Sequence, residues 1–245
     1  MLGIDELYKE LKSSNFLVDT DSRKIRKGSV FFAIKGDNFN GNEFIGDALK
    51  NGSRLAISDE ENPNLNHNHN VIKVSNSLST LQELSKFHRK KCNAKVIAIT
   101  GSNGKTTTKE LIYSVLSSNF KTICTTGNFN NHIGLPLSLF EIRHDTEFAV
   151  IEMGANNFGE IAFLTSLCEP DYGYITNFGK AHLEGFINID GVIKAKTELY
   201  QWIIKNDKTL LINGEDKNQK KFDNHKHIMF GHSENFHYNF RENNN

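Results

Sequence analysis

Cysteine is scarce in this sequence: only Cys92, Cys124 and Cys168 occur, scattered and odd in number, with no C-x-x-C pair among them. That excludes a disulfide framework and argues against a zinc site, so the three read as reduced, mostly buried thiols. Net charge is absent too. Lys+Arg and Asp+Glu both total 29, and the pI is near 7.2, so no excess of either sign draws the chain to nucleic acid or to an anionic membrane. Long apolar runs are missing, and none approaches the roughly 20 residues that cross a bilayer. The opening Met1-Leu-Gly-Ile-Asp-Glu-Leu-Tyr-Lys9 has neither a basic n-region nor an apolar h-region. The expectation is a soluble, cytoplasmic protein with no membrane span and no nucleic-acid partner.

What is present is enough chain for two modest domains, 245 residues. One stretch organises it. Val96 to Ile99 is a short β-branched run with the composition of a buried strand, and Leu111, Ile112, Val115 and Leu116 share one face of a helical period. Between them lies Gly101-Ser-Asn-Gly-Lys-Thr-Thr-Thr108. A tight turn leading into a helix aims backbone N–H groups and a positive dipole end at one point, which suits a phosphate. Lys105 would reach the terminal phosphates and the Thr106 hydroxyl would ligate Mg²⁺. The common phosphate loop has four residues between its glycines, whereas Gly101 and Gly104 enclose only Ser102 and Asn103. An ordinary Gly-rich turn is the competing reading. The strand before, the helix after and Lys-Thr in register favour a nucleoside triphosphate.

Upstream, the pattern predicts a helix over Ile4 to Leu11 and a strand over Val30 to Ile34. A polar turn over Gly36 to Gly41, a helix over Phe44 to Leu49, and strands over Leu55 to Ser58 and Val71 to Val74 follow. A helix over Leu78 to Lys90 turns Leu81, Leu84 and Phe87 inward. His67 and His69 lie in an Asn-rich, Pro-containing loop and read as solvated rather than metal-binding. Residues 1–92 therefore read as a small α/β domain and 93–245 as the nucleotide domain.

Downstream, the pattern predicts strands over Lys121 to Thr125, Phe148 to Met153, Tyr172 to Thr176 and Thr209 to Asn213. Helices are predicted over Gly159 to Cys168 and Ile189 to Ile204, with a trace of further strand around Phe230, Phe236, Tyr238 and Phe240. The loop Gly127 to Pro136 carries Asn128, Asn130 and Asn131, whose amides either hold a polar ligand or simply make turns. Glu152 closes a core strand at the rim where parallel sheets bind ligands, a position fit for the Mg²⁺ of a nucleotide. His182 reads equally as a metal ligand or a structural loop histidine. Lys196, on a helix with Lys194 and Glu198, reads on its own as solvated.

Together these segments resemble the Mur ligase family. Thr100-Gly-Ser-Asn-Gly-Lys-Thr-Thr107 is similar to its short ATP loop. The other matching segments are Gly127 to Pro136, Glu152 to Ile161, Thr176 to Gly185, Lys194 to Tyr200, and Asp21 to Gly41 with its Phe31-Phe-Ala-Ile-Lys-Gly. The resemblance implies a uridine-nucleotide-binding domain followed by a mostly parallel, three-layer ATPase domain. It implies ATP at Gly101, Ser102, Asn103, Gly104, Lys105, Thr106 and Thr107, and Mg²⁺ at Thr106 and Glu152. A second Mg²⁺ would lie at His182 and at Lys196 carbamylated by CO₂, with Lys105, His182 and Lys196 as the catalytic set. Substrate contacts would come from Ser22, Arg23, Lys35, Asn40, Asn128, Asn130 and Asn131. The Asn-rich loop and Met153-Gly-Ala-Asn156 favour the member that joins D-alanyl-D-alanine to UDP-N-acetylmuramoyl-tripeptide through an acyl phosphate. The member that adds the third amino acid is the alternative within the family. Outside it stand a phosphate-loop kinase or NTPase with another acceptor and a non-catalytic binding module. Family segments that contact adenine, an arginine near the γ-phosphate and the C-terminal domain have no match here. The expectation is an N-terminal fragment that does not complete turnover alone, with a separate polypeptide as one source of the remainder.

Overall fold

A computed structural model describes residues 2–61, 70–179 and 183–239. It divides into two compact units, residues up to Cys92 together with Leu139–Glu141, and Asn93–Ser138 with the residues from Ile142 onward.

The first unit runs α1 (Ile4–Ser13), β1 (Val18–Asp19), β2 (Val30–Phe32), β3 (Lys35–Gly36), β4 (Phe39–Asn40), α2 (Ile45–Lys50), β5 (Leu55–Ser58), β6 (Val71–Lys73) and α3 (Ser77–Lys91). Strands β1-β2-β5-β6 make a parallel sheet in that order. Both faces of β2 and β5 are buried, which is why they read as unbroken apolar runs rather than alternating ones. Phe31, Ala33, Ile45, Ala48 and Ala56 form the core on the α2 side. The segment predicted as a polar turn is instead an antiparallel ribbon, Lys35 opposite Asn40 and Gly36 opposite Phe39. Leu81 and Leu84 are buried as the helical period requires, but Phe87 is only half-buried. Its ring rests edge-on against Tyr8, 4.9 Å between centroids.

The second unit runs β7 (Lys95–Thr100), α4 (Lys105–Ser117), β8 (Thr122–Cys124), α5 (Gly134–Phe140, of which Leu139 and Phe140 belong to the first unit), β9 (Phe148–Glu152), α6 (Glu160–Cys168), β10 (Tyr172–Ile175), α7 (Leu183–Phe186), α8 (Ile189–Lys205), β11 (Thr209–Asn213), β12 (His227–Gly231) and β13 (Tyr238–Asn239). Its seven strands lie in the order β13-β12-β11-β10-β7-β9-β8, and every pair is parallel. Side chains alternate between the faces of a strand. Ile97, Ile99 and Val150 face Ile112 and Leu116 of α4. On the opposite face Gly173 lies against Leu199 and Ile203 of α8, completing helix–sheet–helix layers. The chain leaves β9, crosses β7 and enters β10. The order thus reverses at β7, and the crevice beyond its carboxyl end is where open α/β sheets take ligands.

Two expectations need correction here. Leu111 and Val115 are 63 % and 71 % exposed; the sheet is wide enough under α4 to cover only the Ile112 and Leu116 side of the stripe. The Asn-rich loop ends in α5, which the sequence reading missed because Pro136 and the surrounding Asn and Gly residues read as turn. Proline is tolerated in a first helical turn, where its missing N–H has no helical partner. Of the three thiols, only Cys168 is fully buried.

Gln219 ties three of these elements together. Fully buried, it donates Nε2 to the Ile175 carbonyl at 2.8 Å. Its Oε1 accepts from the Asn213 N–H at 2.9 Å and the Tyr200 hydroxyl at 3.2 Å. Burial pushes the Tyr200 hydroxyl pKa up, so it stays a neutral donor. Gln219→Ala leaves the Ile175 carbonyl and the Asn213 N–H without these bonds, while the Tyr200 hydroxyl keeps the Leu211 carbonyl at 2.7 Å, and is expected to cost about 2–4 kcal/mol. The lone tryptophan, Trp202 of α8, reports this as a lower urea midpoint for the second unit.

Candidate functional site

The loop after β7 takes its shape from two glycines. Gly101 has φ 143° and Gly104, at the N-cap of α4, has φ 73°, both in the region that L side chains avoid. A Cβ on Gly101 would also collide with Thr176 Oγ1. The segment following β10 staples the loop down. Thr176 Oγ1 donates to the Asn103 carbonyl at 2.6 Å, and Asn177 Nδ2 donates to the same oxygen at 3.0 Å. Asn103 N–H donates in turn to Asn177 Oδ1 at 3.1 Å, and Ser102 Oγ to the Gly179 carbonyl at 3.0 Å. Thr176 and Asn177 are positioning residues; the sequence places them in the Thr176–Gly185 segment that carries the resemblance but assigns neither a role. Their signal was available, a polar pair just past a core strand, but not the fact that β10 lies beside β7.

Lys105 folds back over this loop, donating to the Gly101 carbonyl at 2.8 Å and the Ser102 carbonyl at 3.2 Å. Burial holds its ammonium below the ordinary lysine pKa, with Glu152 pulling the other way. Thr106 Oγ1 donates to Glu152 Oε2 at 2.9 Å, and Asn130 Nδ2 to Oε1 at 2.8 Å. Glu152 is 2 % exposed, and among the described residues no cation forms a direct ion pair with it. A buried carboxylate satisfied only by neutral donors, beside a hydroxyl and a helix N-terminus, is a hard-oxygen set that fits Mg²⁺. Thr107 is exposed at the mouth of the loop.

A cavity of about 370 Å³ opens from Lys105, lined also by Asn130, Asn131, His132, Ala155 and Glu160. Lys196 is 2 % exposed and donates to the Ala155 carbonyl at 3.4 Å. Burial, and secondarily the Lys105 charge, lower its pKa to about 8, against the opposing pull of Glu160 and Glu198. The reading of Lys196 as solvated is therefore overturned: the helix amphipathicity of α8 turns it toward α6 and the sheet. Glu198, two residues on, caps α6 by accepting from the Gly159 and Ala162 N–H groups at 2.8 and 2.9 Å. Burial opposes ionisation of Glu160, yet hydrogen bonds from Asn157 and Asn156 outweigh it and lower its pKa.

A nucleotide-shaped loop, a buried carboxylate and a buried amine thus share one sheet edge. Comparison with known proteins adds the decisive observation. The family description "Mur ligase middle domain" matches residues 99–245, and "Mur ligase family, catalytic domain" matches residues 17–89. The chain belongs to the Mur ligase family.

Among curated Mur ligase relatives, the UDP-N-acetylmuramoyl-tripeptide–D-alanyl-D-alanine ligase of Bacillus subtilis is 40 % identical over 81 % of this chain and 43 % of its own length. The Escherichia coli enzyme of the same name is 37 % identical over 82 % and 45 %. The chain spans less than half the length of these relatives. Among solved structures, MurF from Acinetobacter baumannii superposes with a TM-score of 0.80 at 32 % identity, covering 92 % of this chain and 53 % of that one. MurF from Thermotoga maritima, solved in complex with ADP, gives 0.78 at 32 % identity, covering 89 % and 50 %.

Against this Mur ligase frame, the other candidate residues separate. Asn131 spends its Oδ1 on the Ile133 and Gly134 N–H groups at 3.1 and 2.9 Å, capping α5 while lining the cavity. Asn128 is exposed. In the first unit Lys35 Nζ and Asn40 Nδ2 converge on Glu60 at 2.9 and 2.8 Å. Arg23 is paired within its own turn to Asp21 at 2.9 Å, and the carbonyl of Ser22 accepts from Asn51 Nδ2 at 3.0 Å. His182, like His67 and His69, lies outside the described residues. No cluster of three or more metal-ligating His, Cys, Asp or Glu side chains occurs among the described residues, and no helix there is long and apolar enough to cross a membrane.

Proposed function

We propose that this chain carries the UDP-precursor-binding and ATP-binding parts of a ligase that joins D-alanyl-D-alanine to UDP-N-acetylmuramoyl-tripeptide in cytoplasmic peptidoglycan synthesis. The observation that carries the reading is the Gly101–Thr106 loop with its Thr106–Glu152 pair, set beside a cavity that Lys105, Asn130 and Ala155 line, with buried Lys196 bonded to the Ala155 carbonyl. In this reading the N–H groups of Gly101 to Thr107 hold the β- and γ-phosphates of ATP, and Lys105 exchanges its carbonyl partners for phosphate oxygens. Thr106 and Glu152 hold Mg²⁺, which supplies charge neutralisation on the transferring phosphoryl group. Neutral Lys196 amine adds CO₂, losing a proton to give a carbamate whose oxygens serve, with His182, as a second hard-cation site. Asn130 and Asn131 orient the peptide carboxylate in the cavity. That carboxylate attacks the γ-phosphorus and ADP leaves; the amine of D-alanyl-D-alanine then attacks the acyl phosphate, releasing phosphate and leaving an amide. What the protein contributes is positioning and fixed charge, with no protein nucleophile needed.

The test is calorimetric titration of the chain with UDP-N-acetylmuramoyl-tripeptide and with the corresponding dipeptide precursor. Tighter binding of the tripeptide is expected. Preference for the dipeptide would transfer the assignment to the ligase that adds the third amino acid, and binding of neither would remove the precursor from the reading.

A further inference from the structure

Lys109 carries a charge that the proposed chemistry leaves unused. Its side chain is 1 % exposed, one helical turn beyond Thr106 on α4. The ammonium donates to the Thr125 carbonyl at 2.6 Å and pairs at 2.9 Å with Glu110, whose carboxylate sits at the surface. An apolar side chain would fill the same volume without desolvating a charge, so an ammonium there calls for a directional reason. Thr125 supplies one. It is fully buried at the end of β8, where its N–H donates to the Val150 carbonyl at 3.0 Å. Its Oγ1 accepts the Glu152 N–H at 3.0 Å. Glu152 then accepts from Thr106, one turn back along the helix that carries Lys109. The circuit closes on itself: Lys109, Thr125, Glu152, Thr106, α4.

We infer that Lys109 and Thr125 are positioning residues that brace the Glu152 carboxylate against the Thr106 hydroxyl, setting their separation for one divalent cation. The inference rests on the Mg²⁺–nucleotide reading of this site. It differs from a packing role in what it moves. A brace affects the contribution of the cation to nucleotide binding; packing affects everything together.

The experiment titrates ADP into the intact chain in EDTA and in Mg²⁺, for the wild type, Lys109→Met, Thr125→Val and Thr125→Ser, with Trp202 fluorescence and thermal melting as folding checks. ADP affinity in EDTA is expected to stay at the wild-type value. The Mg²⁺-dependent gain is expected to fall about tenfold or more in Lys109→Met and Thr125→Val, the range seen when groups behind metal ligands are removed. Thr125→Ser, which keeps the hydroxyl, restores it. Full retention of the Mg²⁺ gain in both variants, or parallel loss of affinity in EDTA, would overturn the inference while leaving the site reading in place. Should Lys109→Met fail to fold, the Thr125 pair decides by the same criterion. A wild-type chain with no Mg²⁺-dependent ADP binding would overturn the site reading and the inference together.

Discussion

Lys105→Ala is expected to weaken binding of Mg²⁺–ADP about a hundredfold, the equivalent of a charge-assisted hydrogen-bond pair of roughly 2–3 kcal/mol lost from a partly buried site. The ammonium already lies across the mouth of the loop, bonded to the Gly101 and Ser102 carbonyls, so little ordering remains when phosphate oxygens replace them. Exchanging neutral acceptors for anionic ones strengthens each bond. Because burial already lowers the pKa of this ammonium, an anion beside it removes a standing cost. Lys105→Arg is not expected to rescue, since a planar fork cannot occupy a point-charge position that its own loop encloses. The remaining bonds from Thr176 and Asn177 keep the loop folded, so the melting temperature should move little. Calorimetry that finds unchanged ADP affinity in Lys105→Ala would overturn the phosphate assignment of the loop.

How much of this could be read from residues alone follows from how local each determinant is. Gly101, Gly104, Lys105 and Thr106 impose their geometry within six residues of chain, so strand, turn and helix were all legible. Glu152 was legible for a similar reason, because the end of a core strand marks the ligand rim of a parallel sheet. Thr176, Asn177, Thr125 and Gln219 were not. Each works through a partner that only the sheet order brings near: Asn177 reaches Asn103 across 74 positions, and Gln219 reaches Ile175 across 44. The apolar stripe on α4 fixed a helix and one face of it, but the sheet covers only part of that stripe, which leaves Leu111 and Val115 exposed. Asn131 illustrates a different limit: an amide-rich loop serves a ligand and a helix cap with the same side chains, and composition does not divide the two uses.

Lys196 is where sequence pattern and structure diverge most, and the largest spectroscopic effect is expected there. Carbamate forms from the neutral amine with release of a further proton, so at fixed CO₂ its occupancy rises with pH, and a lower amine pKa brings its formation to lower pH. Burial, with Lys105 adding to it, brings the Lys196 pKa to about 8. At pH 8 about half of this side chain is neutral, against well under one per cent of an ordinary lysine near 10.4, an advantage of about a hundredfold. The sign follows directly. At a fixed dissolved concentration of ¹³CO₂, occupancy should climb as pH rises through 8 and fade below about 7, where the ammonium prevails. A ¹³C carbamate resonance is therefore expected in the wild-type chain at pH 8 and above, absent from Lys196→Ala and suppressed by acidification. Added Mg²⁺ should shift the whole pH profile to lower values, because a cation that binds only the carbamate draws the equilibrium toward it. A resonance that survives in Lys196→Ala would move the modification to another amine. A profile that coincides with that of a free lysine amine at the same CO₂ concentration would mean that Lys196 titrates as a solvated side chain, and burial would no longer account for its carbamylation.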